Sequence, residues 1–318
     1  MEPSRRYLFQ LVPQVVGTAV TAPHVLFNAE SWERLFRAFN KPSMVDGSVL
    51  DELEIMIGSY WRLFYSSPSP DLLDGIFGFL QTVTSLLERS HPKILYQRLC
   101  AIASKTTLLA GRIAFDQHHS TAVDRYYLLS HQTAQKTGDA TLEAIVLARM
   151  ASVLMEKQQL ESAISLLQEA RRLFTRGPYT ATVHAWLATQ EAETWAIMHQ
   201  EVPCLKALEM AEHDTDTIIS ETDLYGTNFD HSLLSGFKGV CYLKLQKPEA
   251  AHQVLQDAIS LALPSSSRQK AIFFSDLAAT FVQRKEPEEA CSLLGNALDL
   301  VARTKSPYVM QRWGYAVN

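Results

Sequence analysis

The stretch GVCYLKLQKPEAAHQVLQDAISL, residues 239–261, predicts two helices joined by a tight corner. The small residue Gly239 comes first, and Pro248 stands at the start of the second helix, where its missing N–H costs little. Ala251 and Ala258 follow, seven residues apart and therefore on one face of that helix. Small residues on such a face allow a neighbouring helix to approach closely. The stretch therefore predicts one helical hairpin that packs against others.

The spacing of these small residues recurs along the chain. Twelve residues separate Gly239 from Ala251, and seven separate Ala251 from Ala258. A weaker copy of the unit starts at Gly111, so that the unit starts are 40, 41, 47 and 39 residues apart. A recurring period indicates stacked helix pairs, and tetratricopeptide (TPR) units repeat about every 34 residues. The same two intervals join Ala151, Ala163 and Ala170; Ala192, Cys204 and Ala211; and Ala278, Ala290 and Ala297.

The pattern predicts an all-α fold, a right-handed superhelical solenoid of TPR-like helix pairs, in four parts. An arm (1–27) precedes N-terminal helices that start the superhelix (28–103). Five divergent TPR-like helix pairs (104–303) and a C-terminal tail (304–318) follow. The five pairs are expected at about 104–136, 143–173, 184–212, 232–262 and 271–303.

Two stretches outside the helix pairs carry predictions of their own. The acidic segment 213–231 lengthens one unit, and it is either a solvated surface loop or a lid over the concave face. Residues 29–40 predict a short amphipathic helix, and a longer one follows with Ser43 or Asp46 as its N-cap. The apolar stripe of this longer helix is Leu50, Leu53, Ile57, Tyr60, Trp61 and Phe64.

The N-terminal arm contains Ser4-Arg5-Arg6, which resembles a twin-arginine export signal ahead of an apolar stretch. Pro13 interrupts that stretch, and Pro23 follows its small residues where a signal peptidase would cut. The stretch is also shorter than the roughly 20 residues that span a membrane. We therefore expect a linker or docking arm, no membrane span and a cytoplasmic protein, with export through Arg5-Arg6 as the alternative.

Composition limits the classes of partner. The chain has 318 residues, a net charge of −5 and a pI of about 6.1, and no run rich in lysine and arginine. Nucleic-acid binding usually requires a basic patch, so direct binding by this chain is not expected. The four cysteines form no CxxC pair and lie in helical patterns, which favours free thiols over disulfides or metal ligands and suits a reducing compartment.

The sequence offers no catalytic residue, no metal site and no cofactor motif that we can name. His118-His119 with Asp116 could be taken for metal ligands, but no second ligand cluster has zinc spacing. No nucleophile–base pair or phosphate-cradling glycine loop is present either. We predict a non-enzyme, and an enzyme on a helical-repeat scaffold is the alternative.

Binding in a groove is the favoured function. In a helix-pair solenoid the first helix of each unit lines the concave side, which suits a protein or peptide partner. Polar and aromatic residues between the packing positions of these helices are the candidates for binding, and the alternative is that they pair with one another across the groove. They are Lys105, Arg112, Arg149, Glu156, Trp186, Gln190, Glu193, Lys244, Asp276 and Gln283.

Several segments resemble the C-terminal TPR array of bacterial regulators that carry an Xre-type helix-turn-helix at the N-terminus. LAGRIAFD (109–116) is similar to the "LAGxLAFD" segment of that family, and the resemblance covers roughly residues 45–313. It implies a cytosolic module of bacterial transcriptional or signalling regulation that binds a peptide, protein or small effector, with homodimerisation as a further expectation. Agreement extends to WLATQEAE (186–193), GFKGVCYL (236–243), DLAA (276–279) and ALDLVART (297–304).

The chain departs from that family because the helix-turn-helix would need about 60 residues before position 30. DNA binding is therefore not carried over from the resemblance. We expect a stand-alone sensor, or one whose DNA-binding half lies on another chain or was lost.

Overall fold

The computed structural model describes residues 46–218, 223 and 225–311. Within these ranges the chain is helical and contains no β-strand. The arm 1–27, the expected helix 29–40 and the end of the tail lie outside the described residues. The helices are α1 (Gly47–Ser66), a 3-10 turn (Ser69–Leu72), α2 (Leu73–Leu87), α3 (Lys93–Asp116), α4 (Ser120–Ala134), α5 (Ala140–Glu156), α6 (Leu160–Phe174), α7 (Ala181–Ile197), α8 (Glu201–Thr215), α9 (His231–Lys244), α10 (Pro248–Leu261), α11 (Ser267–Gln283) and α12 (Pro287–Thr304).

From α3 onward the helices pack two by two as hairpins, α3 with α4 through to α11 with α12. The second helix of each hairpin contacts the first helix of the next, and first helices also contact one another along the series. The chain is therefore a helical-repeat protein of stacked hairpins. The first hairpin begins at Lys93, eleven residues before the sequence-based boundary, because the helix runs without a break from its N-cap Pro92.

The turn inside each hairpin has the same backbone geometry. One residue takes a left-handed conformation, and the N–H of the next residue donates to the carbonyl five positions back at 2.8–2.9 Å, as in a Schellman motif. These left-handed residues are 40, 41, 47 and 39 positions apart, which are the intervals of the sequence repeat. They are His118, Gln158, His199, Gln246 and Lys285, with φ between 55° and 64°.

This turn geometry predicts opposite effects for two identical substitutions. Gln246→Gly is expected to stabilise the protein by about 0.5–1 kcal/mol, because glycine adopts positive φ without the strain of a side chain. Gln256→Gly, at an exposed position inside α10, is expected to cost about 1 kcal/mol through lost helix propensity. Urea unfolding of both variants measures the difference. Destabilisation by both substitutions would contradict the left-handed turn.

The recurring small residues lie where helices meet. Every one of the alanines at the twelve- and seven-residue intervals is at most 3% exposed, and Cys204 and Gly239 are buried with them. All four cysteines are free thiols, three of them buried and Cys291 exposed. The interval therefore marks the faces on which helices approach each other. No helix in the described ranges is long and apolar enough to cross a membrane.

Helix α1 connects the two ends of the hairpin series. Its N-cap is Asp46, which accepts from the backbone N–H of Ser48 and Val49 at 3.0 and 3.1 Å. Its apolar stripe is buried except for Tyr60, which is half-buried. The helix packs against α3 of the first hairpin and against α11 of the last. The sequence analysis placed α1 at the start of the superhelix, and the structure adds its contact with the last hairpin.

Candidate ligand-binding site

Two arginines from neighbouring hairpins lie close together beside α1. Arg112 is on α3 and Arg149 is on α5. Burial raises the pKa of Tyr127, and Arg112 acts in the opposite direction and lowers it. Burial likewise raises the pKa of Tyr65, and Arg149 lowers it. Both guanidinium groups act electrostatically on both tyrosines. Burial lowers the pKa of Arg149, and the positive charge of Arg112 lowers it further. We call Arg112 and Arg149 the arginine pair.

Aromatic rings surround the arginine pair. The Arg149 guanidinium lies 4.6 Å from the ring centre of Trp186, which is fully buried. Arg112 lies over three rings, at 5.3–5.9 Å from their centres, and cation–π attraction of this kind stabilises a cation where water is scarce. The three rings are those of Phe64, Phe115 and Tyr308.

No carboxylate forms an ion pair with either arginine among the residues that the structure describes. The Arg149 side chain is 8% exposed, and its Nε–H is buried without a hydrogen-bond partner. Asp223 is near enough to act on Arg149, but its carboxylate accepts from the backbone N–H groups of Tyr225, Thr227 and Asn228 at 3.2, 3.1 and 2.7 Å. A buried guanidinium group with an unused donor is a costly arrangement.

The described part of the acidic segment packs against this site. The Tyr65 hydroxyl donates to the Gly226 carbonyl at 3.0 Å, and Gly226 lies against the Trp61 ring with φ of 70°. Lys105, two turns before Arg112 on α3, lies 5.1 Å above the ring centre of Tyr225, and burial lowers the pKa of this lysine. Residues 225–229 are therefore a packed cover over part of the interior, while residues 219–222 and 224 lie outside the described ranges.

A second, complete ion-pair cluster lies next to the arginine pair. Arg268 of α11 donates to both oxygens of Asp116 at 3.0 and 2.9 Å, and Ser69 and Ser306 each donate to Asp116 at 2.5 Å. Arg268 also donates to the carbonyls of Phe64 and Ser67 at 3.1 and 3.0 Å. This cluster ties the last hairpin to α1 and α3. It also engages the Asp116 carboxylate that a metal site at His118-His119 would require.

Four of the ten candidate residues meet in the interior: Lys105, Arg112, Arg149 and Trp186. Gln190 is buried and accepts from Ser152 at 3.2 Å. Asp276 is buried, and Glu193 and Lys244 are half-buried. Glu156 and Gln283 are exposed, and the Gln283 amide donates to the Leu243 carbonyl at 3.2 Å. Arg268 was not a candidate, because its partner Asp116 is 152 positions away and no local pattern joins them.

A further polar cluster lies among α6, α7 and α8. His184 Nδ1 and the Tyr179 hydroxyl each lie 2.6 Å from an oxygen of Asp214, and the His184 ring stacks on Phe174 at 5.5 Å. Glu191, which shares a helix face with His184, pairs with Arg171 at 2.8 Å. These contacts hold the three helices together. In the described ranges no group of three or more His, Cys, Asp or Glu side chains is placed to hold a metal ion.

The stacked hairpins define the class of the molecule, a helical-repeat protein, and the arginine pair lies beside its helix α1. No protein-family model matches the sequence, and no curated protein matches it. One similar solved structure is the crystal structure of BtubC (BKLC) from P. vanneervenii. It is 12% identical, the match covers 79% of this chain and 91% of that chain, and the TM-score is 0.43. Similarity at this level carries no argument about family, ligand or partner.

Proposed function

We propose that this chain is a non-enzymatic interaction or sensor module of bacterial transcriptional or signalling regulation. Its stacked hairpins would form a superhelix of TPR-like pairs, as the resemblance to the sensor arrays of Xre-type regulators implies. A peptide, a protein segment or a small effector binds on the interior side of the first helices. The module acts in the cytoplasm and does not itself bind nucleic acid.

The observation that carries this proposal is the arginine pair. Two cations from adjacent hairpins are brought together and shielded by aromatic rings, without a carboxylate partner in the described residues. For stability alone, apolar side chains would serve as well at these positions, since buried charges add little to stability even when paired. An unpaired buried cation is expected where a ligand supplies the opposite charge. Arginine and tryptophan are also the residue types favoured in binding hot spots.

Tyr65 connects the arginine pair to other parts of the molecule, so that ligand binding can affect them. Its hydroxyl donates to the Gly226 carbonyl, and the charge of Arg149 on α5 acts on it, so that Tyr65 lies between Arg149 and the packed cover. A ligand anion beside Arg149 offsets the positive charge that acts on Tyr65. The Tyr65–Gly226 contact then loosens, and the change reaches residues 225–229. Homodimerisation stays a prediction from the resemblance.

Affinity capture from a lysate of the source organism tests the proposal. The wild-type chain is expected to enrich one recurrent protein, peptide or small molecule, as identified by mass spectrometry. The variant R112Q/R149M is expected to lose at least about 90% of that enrichment, which corresponds to a tenfold change in affinity. The control R125Q removes one positive charge at an exposed position of α4 and is expected to keep the ligand.

Two results would contradict the proposal. One is full retention of the captured ligand by R112Q/R149M when thermal unfolding shows that the variant is folded. The other is an empty capture by folded wild-type protein in repeated lysates.

A further inference from the structure

We propose that the arginine pair binds a single oxyanion, a carboxylate or phosphate-type group, at the position between the two guanidinium groups. This inference rests on the proposed function and adds to it the chemistry of the ligand. It concerns the part of the ligand that enters the interior. The rest of the ligand contacts the aromatic rings around Arg112.

In the described part of the chain, the absence of an ion pair to Arg112 and Arg149 favours an anion at the arginine pair. Arg112 acts electrostatically on both Arg149 and Arg268 in this region. Two carboxylates face them: Asp116, which pairs with Arg268, and Asp223, which is held by backbone N–H groups. Neither carboxylate forms an ion pair with Arg112 or Arg149, so these two guanidinium groups have no paired counter-charge among the described residues. A buried charge is stable only with an opposite charge beside it.

The geometry favours an oxyanion over other anions. A guanidinium group presents its donors in a planar fork that matches two oxygens of one carboxylate or phosphate group. Arg149 has an unused Nε–H at the buried end of the site, and Arg112 reaches the site from the adjacent hairpin. A group with two or more oxygens can accept from both side chains at once. A chloride ion is a single acceptor atom, so it would leave some of the guanidinium donors without an acceptor.

Burial indicates the side from which the anion enters. Trp186 and Tyr127 are at most 2% exposed and close one side of the site. Tyr65, Arg112 and Phe115 are only partly buried. The anion therefore approaches past these residues and reaches Arg149 last. A flat or apolar body attached to the oxyanion would lie on the partly exposed rings.

Thermal shift and calorimetric titration with inorganic phosphate and with acetate test the inference. Sodium chloride at matched ionic strength is the reference, so that general screening is subtracted. At ten times its Kd, the bound anion is expected to raise the Tm of the wild-type chain by about 3 °C. The variants R149M and R112Q are expected to bind at least about tenfold more weakly. R125Q is expected to respond like the wild type.

The outcomes separate a failure of the oxyanion inference from a failure of the proposed interaction function. A shift with phosphate alone identifies a phosphate-type ligand, and a shift with acetate alone identifies a carboxylate. Equal Tm values in phosphate, acetate and chloride for the wild-type chain would overturn the inference, as would an undiminished shift in folded R149M. In those cases, capture of a ligand from lysate that depends on the two arginines would still support the proposed interaction module. Anion binding with an empty capture would uphold the anion site and contradict the proposed interaction module.

Discussion

Asp116→Ala is expected to lower the free energy of unfolding by about 3–5 kcal/mol, because it leaves Arg268 buried without its counter-charge. Arg268 and Asp116 are 3% and 1% exposed, and their side chains join the last hairpin to the first. The substitution also removes the acceptor of the hydroxyls of Ser69 and Ser306. No other ion pair in the described residues has both partners so deeply buried. Urea unfolding monitored by circular dichroism gives the difference directly.

Two control variants separate the buried charge from the general effect of losing an ion pair. Asp124→Ala breaks the exposed pair with Lys157 and is expected to cost about 0–1 kcal/mol. The double variant D116L/R268M replaces the buried pair by apolar side chains and is expected to recover most of the loss. A cost below about 1 kcal/mol for Asp116→Ala would contradict the closed contact between the two ends.

Phe64→Ala is expected to cost about 3–5 kcal/mol, the usual range for truncating a fully buried aromatic side chain. Phe64 is 0% exposed and belongs to the largest hydrophobic cluster. Arg268 and Arg112 lie over its ring, at 4.5 and 5.9 Å from the ring centre. The substitution therefore also removes the aromatic ring that these two cations contact. The effect tests whether α1 is an integral part of the interior.

The neighbouring residue Leu63 provides the matched control. It is on the same helix but is 38% exposed, so that Leu63→Ala is expected to change stability by only about 0.5 kcal/mol. Equilibrium unfolding in urea of both variants compares the two faces of α1. Similar small costs for the two substitutions would show that α1 is detached from the hairpins in solution.

The local parts of the fold could be predicted from the sequence because they depend on residues close together in the chain. The twelve- and seven-residue intervals identified the close-packed faces, and the apolar stripe of α1 identified its buried side. Asp46 caps α1 as one of two expected residues. The left-handed turn residues could not be predicted, since none of the five is glycine, the residue type that usually marks such a turn.

The long-range contacts could not be predicted from the sequence pattern. Periodicity states which residues are buried, but it does not state which buried faces meet. The contact of α1 with α11 and the pairing of Arg268 with Asp116 join parts of the chain more than 150 residues apart. The sequence analysis placed α1 at the start of the superhelix and did not predict its contact with α11.

The residues of the candidate site also divide into those that the repeat register predicted and those that it did not. Lys105, Arg112, Arg149 and Trp186 meet because they occupy related positions well inside first helices. Glu156, Lys244 and Gln283 are each the last residue of a first helix, where the register carries the side chain toward the turn. Tyr65 and Tyr225, which complete the site, come from α1 and from the acidic segment, where no repeat register applies.

A crystal structure of the chain grown with selenate, using the anomalous signal of selenium to locate the anion, tests the central claim most directly. The account predicts a selenate ion between Arg112 and Arg149, with its oxygens about 2.7–3.2 Å from nitrogens of both side chains. A carboxylate of the chain itself paired with both arginines would contradict the account. So would a site without anomalous signal in crystals that bind selenate elsewhere.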